Sequence, residues 1–555
     1  MAESMGRLLS AVALSTLILV CCTLYCSGRS EAGKVLAPRK NVLFFAIDDL
    51  RPDLGAYGAD FVISPNIDKL AKRSLLFERA YCQVSFCSPS RTSLLTGRRP
   101  DTTHVWQISG QEYWRQVVNA TSLPQYFKQN GYVTIGMGKV FHPGSPSGND
   151  DKKYSWSPEG LPYYHSPIEH RYGPMNKTSI AWAAEGFEDN QLPDGQIADN
   201  ALKVLQELKQ NRTEHGETRP FFMAVGFHKP HIPFIAPKKY FDMYPPQDQI
   251  AVPKHRFPPT DLPYIAWSVW PFFHTVGGVA QYFTGTECFT NASQAYTERC
   301  MMPINATQYL RRSYYSAMTY TDAQVGKVMD KMEEMGFDND TIVVLWGDHG
   351  WQLGEHGEWG KYTNFEDGTH VPFMLRVPGV TDEGMRTKAL VELIDIYPTL
   401  AELTGLPAPP LCPPMSQKVG TCVEGVSTVP LFHNTTAAWK EASFSQYARP
   451  LSGLPSIPGH PPFPKGTDES VMGYTMRTDK YRYTEWVKFN HTTAVADWTD
   501  VWGRELYDHT LDSEELFDDE NENLVDKPEM AELVKKLHAN LREGWRAAMP
   551  ASMRT

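Results

Sequence analysis

Short apolar runs that alternate with helical patterns are the feature that most constrains the fold of this chain. The run "NVLFFAID" (residues 41–48) is continuously apolar up to its last residue, which is typical of a strand buried on both faces. Similar runs occur at 132–140, 221–227, 341–347 and 371–377. Helical patterns lie between them at 197–211, 313–336 and 390–405. This alternation predicts an α/β fold with a large mixed, mostly parallel sheet sandwiched by helices.

Polar and charged residues follow four of these runs. They are Asp48 and Asp49, Lys139 with His142 just beyond, the stretch 228–231 that ends in His231, and Asp348 with His349. Because the carboxyl ends of parallel strands share one edge, we expect these residues to converge on one site. Three clustered aspartates repel one another unless a cation joins them, and oxygen ligands favour Ca²⁺ or Mg²⁺. The alternative for Asp49 or Asp348 alone is that it caps the next helix.

The stretch "CSPSRTSLLTG" (residues 87–97) predicts a short helix that begins near Pro89 and ends at Gly97. Cys87 would then lie at the helix N-terminus, with Arg91 one turn further on. The helix dipole and the guanidinium would both lower the pKa of the thiol. The residues alone therefore indicate a cysteine nucleophile beside a metal. The alternative is a disulfide between Cys87 and Cys82.

The N-terminus has the pattern of a secretory signal peptide, which we place at residues 1–30. Arg7 supplies a positive charge, and an apolar segment follows at 8–20. The alternative is an uncleaved membrane anchor, but serines and a threonine dilute the segment, and no later segment is long enough to span a bilayer. Eight Asn-X-Ser/Thr triplets also indicate the secretory route, at Asn119, Asn176, Asn211, Asn291, Asn305, Asn339, Asn434 and Asn490.

Nine cysteines are present, and three of them would leave with the signal peptide. Two of the remaining pairs are close in sequence and could each close a short loop in an oxidising compartment, Cys288 with Cys300 and Cys412 with Cys422.

The net charge and the number of histidines limit the kinds of molecule that the chain is expected to bind. The net charge is -11 and no long basic run occurs, so a nucleic-acid partner has no electrostatic support. Protonation of all 17 histidines would move the net charge from -11 to +6. An acidic compartment would therefore ease the approach of a polyanion.

Three segments follow the signal peptide. We predict a catalytic domain at 34–448 and a Pro-rich linker at 449–465, which is also a candidate site of proteolytic processing. Residues 466–555 contain a hairpin pattern that turns at Asp479-Lys480 and a final amphipathic helix. They predict a smaller C-terminal α+β subdomain.

The stretch at 87–97 resembles the sulfatase signature, Cys-X-Pro-Ser-Arg followed by Leu-Thr-Gly. Further stretches are similar to members of the same family, in order along the chain: "FFAIDDLRPDLGAYG", "TGRRPDTTHVW", "GKVFHPG", "GFHKPHIPF", "GDHGWQLGEHGEWGKYTNFE" and "RTDKYRYTEWV". The resemblance implies the alkaline phosphatase/sulfatase-like fold, in agreement with the α/β prediction. It also implies that a formylglycine-generating enzyme oxidises Cys87 to formylglycine, and that the protein acts in the lysosome.

The resemblance implies a role for each candidate residue. Asp48, Asp49, Asp348 and His349 would bind one Ca²⁺ together with the modified Cys87. Arg91 and Lys139 would hold the formylglycine hydrate, and His142 would help to break down the sulfated intermediate. His231 and Lys361 would contact the sulfate and assist the departure of the sugar oxygen. Many sulfatases have Asn where this chain has His349, so this position departs from the pattern of the broad family.

The implied reaction is hydrolysis of a sulfate ester on a sulfated glycosaminoglycan. The aldehyde hydrate would attack sulfur through one hydroxyl, and its second hydroxyl would allow elimination that regenerates the aldehyde. The alternatives are a choline or other glycosaminoglycan sulfatase, a phosphohydrolase of the same superfamily, and an inactive glycan-binding relative. Cys87 argues against the phosphohydrolase, which would carry Ser or Thr there, and the complete residue set argues against the inactive relative.

Overall fold

The apolar runs form the strands of a central sheet. The structure is a computed structural model, and it describes residues 39–108, 112–157, 161–169, 181–267, 302–450, 469–510 and 520–554. The strands are β1 (Asn41–Ile47), β2 (Leu75–Tyr81), β3 (Val133–Gly138), β4 (Ala181–Ala184), β5 (Phe221–Phe227), β6 (Phe234–Pro237), β7 (Thr341–Gly347), β8 (Gln352–Leu353), β9 (Trp359–Gly360), β10 (His370–Arg376), β11 (Met385–Glu392), β12 (Ala442–Pro450), β13 (Glu469–Thr478), β14 (Tyr481–Asn490) and β15 (Val495–Asp508).

The large sheet is mixed and mostly parallel, as predicted. Its strand order is β11-β2-β10-β7-β1-β5-β3. Only β10 runs antiparallel to its neighbours, β2 and β7. The strands β7, β1, β5 and β3 are adjacent and parallel, so their carboxyl ends lie side by side.

Helices cover both faces of this sheet. The helices of the described residues are α1 (Pro65–Ala71), α2 (Cys87–Thr96), α3 (Pro100–Thr103), α4 (Trp114–Val117), α5 (Leu123–Gln129), α6 (Lys152–Ser155), α7 (Pro193–Glu214), α8 (Lys238–Phe241), α9 (Ile304–Glu334), α10 (Glu366–Thr369), α11 (Ile396–Leu403), α12 (Val429–His433) and α13 (Ala531–Glu543).

Alternate residues of β1 point to the two faces of the sheet, as strand geometry requires. Leu43 and Phe45 pack in one core cluster with α7 and α9. Val42 and Phe44 pack in a second cluster with α2, α5 and α11. The sheet is therefore a buried layer between two helical layers, which explains why β1 is apolar on both faces from Val42 to Ile47.

A second, antiparallel sheet has the order β12-β13-β14-β15. The predicted hairpin is β13 and β14, which pair on both sides of Asp479-Lys480. Leu537 and Leu541 of α13 pack on this sheet against Met476. The sheet includes β12, whose last two residues are the first two of the predicted linker, and residues 451–465 of that linker lie outside the described residues.

The predicted helix at 390–405 is partly wrong. Residues 390–392 end strand β11, and the helix begins only at Ile396. Strands β2 and β11 were also not predicted. Both have charged residues within them, because β11 is the edge of the sheet and β2 lies next to it.

Some predictions about the secretory route can be compared with the structure. Cys412 and Cys422 form a disulfide, whereas the pair Cys288 and Cys300 lies outside the described residues. Five sequon asparagines are exposed: Asn119, Asn211, Asn305, Asn339 and Asn434. The signal peptide lies outside the described residues, and within the described part of the chain no helix is both long and apolar enough to cross a bilayer.

Glu505 makes the stability of the C-terminal sheet depend on pH. Its buried carboxyl accepts hydrogen bonds from Trp486 Nε1 (2.6 Å) and the Tyr507 hydroxyl (2.7 Å). Burial is the main reason that the pKa of Glu505 rises to about 7. An unfolded glutamate has a pKa of about 4.3, so the stability from this proton is complete below that value and is lost as pH rises through about 7.

We therefore expect Glu505→Gln to flatten the pH dependence of stability. The amide mimics the protonated carboxyl, so the free energy of unfolding should fall less between pH 5 and pH 8 in the variant than in the native protein. Urea unfolding at both pH values measures this difference. Equal slopes for the two proteins would contradict the assignment.

Candidate active site

The predicted site residues converge at the carboxyl edge of the four adjacent parallel strands. The side chains form two overlapping groups, and within each group the possible metal-ligand atoms all lie within 4.8 Å of one another. The first group is Asp48, Asp49, Cys87 and His231, and the second is Asp48, Cys87, Asp348 and His349. Together the two groups contain every residue predicted to bind metal. They also contain His231, which was predicted as a sulfate contact and not as part of the metal set.

Cys87 is the first residue of α2, which ends at Gly97 as predicted. Its Sγ lies 2.8 Å from Lys361 Nζ, 3.3 Å from His349 Nε2 and 3.9 Å from an Asp49 oxygen. The expectation of an acidified thiol is wrong, because burial raises the pKa of Cys87 well above its ordinary value and outweighs the nearby lysines. The thiol itself is therefore a poor nucleophile, since the thiolate is the reactive form.

Cys82 is also buried and carries a free thiol, so the alternative of a Cys82–Cys87 disulfide is excluded in this structure. Its Sγ lies 3.9 Å from the Gly368 carbonyl, and burial raises its pKa too. Cys82 is consequently an inert core residue.

Arg91 and Lys139 form ion pairs with two of the site aspartates. Arg91 is fully buried, with Nε 2.7 Å from Asp348 and one terminal nitrogen 3.2 Å from Asp48. Its other terminal nitrogen donates to the Val140 carbonyl (3.1 Å). Lys139 Nζ lies 2.5 Å from the second Asp48 oxygen. These cations keep the pKa of Asp48 well below its usual range despite full burial.

The three site histidines share one tautomer. Nδ1 of His142, His231 and His349 lies 2.7, 2.6 and 2.9 Å from a backbone carbonyl oxygen. A carbonyl only accepts, so each Nδ1 carries a proton and each Nε2 has its lone pair free for a ligand or a proton. Nε2 of His349 and of His231 faces Asp49, at 3.3 and 3.9 Å. His142 belongs to neither metal-ligand group.

The donor set fits a hard cation. Asp49 Oδ2 is buried and has no hydrogen-bond partner among the described residues. The pKa of Asp49 rises to about 7, mainly through burial, and the charges of Asp48 and Asp348 also raise it. A bound cation would satisfy the open oxygen and stabilise the ionised carboxylate, which is the ordinary reason for grouping acids in this way.

The second sheet holds the segment that carries Lys361. Arg449 of β12 donates to the Tyr362 carbonyl (2.6 Å), and the Asn364 amide donates to the Gly473 carbonyl of β13 (3.0 Å). Lys361 itself lies 2.6 Å from Asp49. The lysine next to Cys87 is therefore placed by contacts with the C-terminal part of the chain.

Glu366 is the last residue of this segment, and its carboxylate belongs to a buried ionic network. Arg477 Nε lies 3.1 Å from its carboxylate, and Arg482 contacts it as well. Arg482 also binds Glu520 (2.6 Å), whose second oxygen accepts the Glu366 backbone N–H (2.6 Å). Sequence reasoning missed this network, since the only signal is the position of Glu366 five residues after Lys361.

The chain has the alkaline phosphatase-like fold, and its site is a group of carboxylate, thiol and histidine side chains that could hold a metal ion. The Sulfatase family model matches residues 40–406. The chain belongs to the sulfatase family, and it is an enzyme that hydrolyses sulfuric esters.

The chain is similar to one characterised protein in sequence and to two solved structures in fold. The chain is 38% identical to iduronate 2-sulfatase of Homo sapiens over 524 residues, which covers 86% of this chain and 90% of that protein. A phosphonate monoester hydrolase from Silicibacter pomeroyi has a similar fold, with a TM-score of 0.64, 20% identity, and coverage of 92% and 96% of the two chains. So does a protein solved with its substrate D-glucosamine-2-N,6-O-disulfate, with a TM-score of 0.63, 20% identity, and coverage of 91% and 97%.

Proposed function

We propose that this enzyme hydrolyses the 2-sulfate ester of L-iduronate units in heparan sulfate and dermatan sulfate. The observation that carries the proposal is the 38% identity to human iduronate 2-sulfatase, which extends over 86% of the chain. Asp48, Asp49, Asp348 and His349 would hold one Ca²⁺ together with formylglycine made from Cys87. The ion would supply Lewis-acid stabilisation of charge on the sulfate oxygens. The aldehyde hydrate would supply one hydroxyl as nucleophile and a second that allows the aldehyde to re-form.

The side chains around position 87 support this chemistry. Lys361 Nζ lies 2.8 Å from Cys87 Sγ, so its ammonium would be next to a sulfate that is under attack. Arg91 has its nitrogens committed to Asp48, Asp348 and backbone carbonyls, so it orients carboxylates and holds the site together. Lys139 acts through Asp48 in the same way.

Two histidines would move protons. His231 has Nε2 free at the site, so at acid pH this atom would first take up a proton from solvent and then give it to the departing sugar oxygen. Burial lowers its pKa, as do the neighbouring lysines, while Asp48 opposes that shift. His142 would accept a proton during the return to the aldehyde. Its pKa is lowered to about 3, first by burial and then by Lys139, so it is present as the neutral base.

The maturation of the protein follows from the burial of Cys87, which is 1% exposed. A formylglycine-generating enzyme would have to reach this side chain before the chain folds, so we propose that the modification occurs early in the secretory pathway. The exposed sequon asparagines agree with that route, and we propose the lysosome as the destination. The domain boundaries at 34–448 and 466–555 remain part of this proposal.

The first alternative is a sulfatase with another substrate, such as a choline sulfatase or another glycosaminoglycan sulfatase. Choline-sulfatase of Rhizobium meliloti is 27% identical over 444 residues, covering 76% of each chain, and so is more distant. The second alternative is an inactive glycan-binding relative. The convergence of the carboxylates, Cys87 and Lys361 around one point argues against loss of activity.

Sulfate release from defined disaccharides at acid pH tests the proposal. We expect 2-sulfated iduronate substrates from heparan and dermatan to be hydrolysed at least about 100-fold faster than 6-sulfated glucosamine or choline sulfate, because a site built for one polar substrate rejects others strongly. A preference for any of the other substrates would overturn the assignment.

The same assay tests the ion. Dialysis against a calcium chelator should abolish sulfate release, because it removes the cation that the grouped carboxylates would bind. Added Ca²⁺ should restore the activity. Dialysis without chelator is the control. Full activity in the chelated and metal-free enzyme would contradict the calcium site.

A further inference from the structure

A cavity of about 450 Å³ lies between the chain that follows α2 and the C-terminal sheet. Its volume is in the range of small-molecule sites. Among the described residues, none of those that meet around Cys87 lines it. Arg99 and Asp101 of its wall follow the carboxyl end of α2, whereas Cys87 is at the other end of that ten-residue helix, about 15 Å away along the axis. The cavity is therefore separate from the catalytic centre.

Aromatic rings and guanidinium groups form much of the wall. Tyr474 and Trp498 are stacked with their ring centroids 5.2 Å apart. The exposed Arg542 has its guanidinium 6.0 Å from the Trp498 ring centroid, and Arg99 lies 4.7 Å from the ring of Trp545. Flat apolar faces beside cations suit a ring-shaped ligand that carries anionic groups on its edge.

Gln83 gives an independent sign of a ligand. It lines the cavity and is 1% exposed, yet its amide nitrogen and oxygen have no hydrogen-bond partner among the described residues. An unsatisfied buried polar group costs about 1–3 kcal/mol, so such groups are normally paired. An amide both donates and accepts, and so does a hydroxyl group.

Two further polar groups of the wall fit a hydroxylated ligand. The Asp101 carboxylate is held by the Gln446 amide (2.7 Å) and the Tyr474 hydroxyl (2.9 Å), which leaves it oriented as an acceptor. The terminal nitrogens of Arg99 bind Glu392 at 2.8 Å each, while its Nε has no hydrogen-bond partner among the described residues. The wall thus offers an acceptor, a donor and an amide beside stacked rings.

We propose that this cavity is a second saccharide-binding site, which takes one acidic sugar unit of a glycosaminoglycan chain whose other end lies in the active site. The inference rests on the proposed function for its choice of polymer. Trp498 provides the stacking face, Gln83 binds ring hydroxyls, and Arg542 pairs with the sulfate or carboxylate at the rim. The enzyme then binds long chains better than disaccharides, because two sites hold one molecule.

Kinetics on substrates of two lengths test this site. We expect Trp498→Ala and Gln83→Leu each to raise KM for a 2-sulfated heparan octasaccharide by about tenfold and to leave KM and kcat for the 2-sulfated disaccharide unchanged. Phe257→Ala, which removes a half-exposed aromatic side chain that does not line the cavity, is the matched control. Unchanged octasaccharide KM in both cavity variants, or an equal rise for the disaccharide, would overturn the inference.

A binding measurement separates this site from the catalytic proposal. The Cys87→Ala protein should bind the octasaccharide, as followed by tryptophan fluorescence, and Trp498→Ala in that background should weaken binding about tenfold. This result supports the site even if the enzyme does not release sulfate from iduronate. Tighter binding of a neutral oligosaccharide of equal length than of the octasaccharide would overturn the choice of an acidic sugar.

Discussion

Replacing Cys87 with alanine is expected to reduce sulfate release by about 10⁴-fold or more, because removal of a nucleophile costs nearly the whole chemical advantage of an enzyme. Cys87→Ser should be almost as inactive in turnover. A serine supplies one hydroxyl and lacks the second that the proposed formylglycine needs in order to reset. The measurement is sulfate release from a 2-sulfated iduronate disaccharide at acid pH.

The loss should come from chemistry and not from unfolding. Cys87 is buried beside Lys361 and His349, but its side chain is small, so we expect the alanine variant to lose only about 1–2 kcal/mol of stability. Mass spectrometry of the peptide around position 87 is the companion measurement, since conversion of a thiol side chain to an aldehyde lowers its mass. Active protein with an intact thiol there, or an alanine variant that works undiminished, would refute the mechanism.

The second large effect is expected at Glu366, where loss of one buried charge should destabilise the whole chain. In Glu366→Gln the carboxylate that faces Arg477 and Arg482 becomes neutral, so both buried guanidinium groups lose this counter-charge. Breaking a buried ion pair from one side costs about 3–5 kcal/mol. Urea unfolding measures this loss, and kcat should fall with it because Lys361 is on the same segment.

Glu402→Gln is the matched control for this experiment. Glu402 is exposed on α11, so the same chemical change should alter stability by no more than about 0.5 kcal/mol. If Glu366→Gln were as stable as this control, the ionic network would be shown to contribute nothing. If it were unstable but retained the native kcat at low temperature, the network would have no part in the position of Lys361.

The sheet edge that carries the candidate site could be predicted from the sequence, because a charged residue directly after an apolar run marks the end of each buried strand. An apolar run followed by Asp48 and Asp49, or by Asp348, needs only the rule that parallel strands share an edge. The helix of Cys87 was predictable in the same local way, from its proline and its terminal Gly97. The disulfide between Cys412 and Cys422 follows from their closeness in sequence.

The remaining features depend on burial and on distant pairing, which local patterns do not contain. The edge strand β11 and its neighbour β2 have charged residues that mask them as strands. The wrong expectation for the Cys87 thiol arose because the helix dipole is visible in a sequence and complete burial is not. Glu366 pairs with Arg477 and Arg482, which are 111 and 116 residues further along the chain.

The C-terminal sheet contacts the segment that follows Lys361, so the site depends on the last part of the chain as well as on the residues around Cys87. A protein cut short before β13 would keep every residue that meets around Cys87, but it would lose the contacts that Gly473 and Arg477 of β13 make with the segment after Lys361. Substitutions in residues 469–510 or 520–554 should therefore be weighed as seriously as those beside the nucleophile, even though none of the grouped side chains around Cys87 comes from these two ranges.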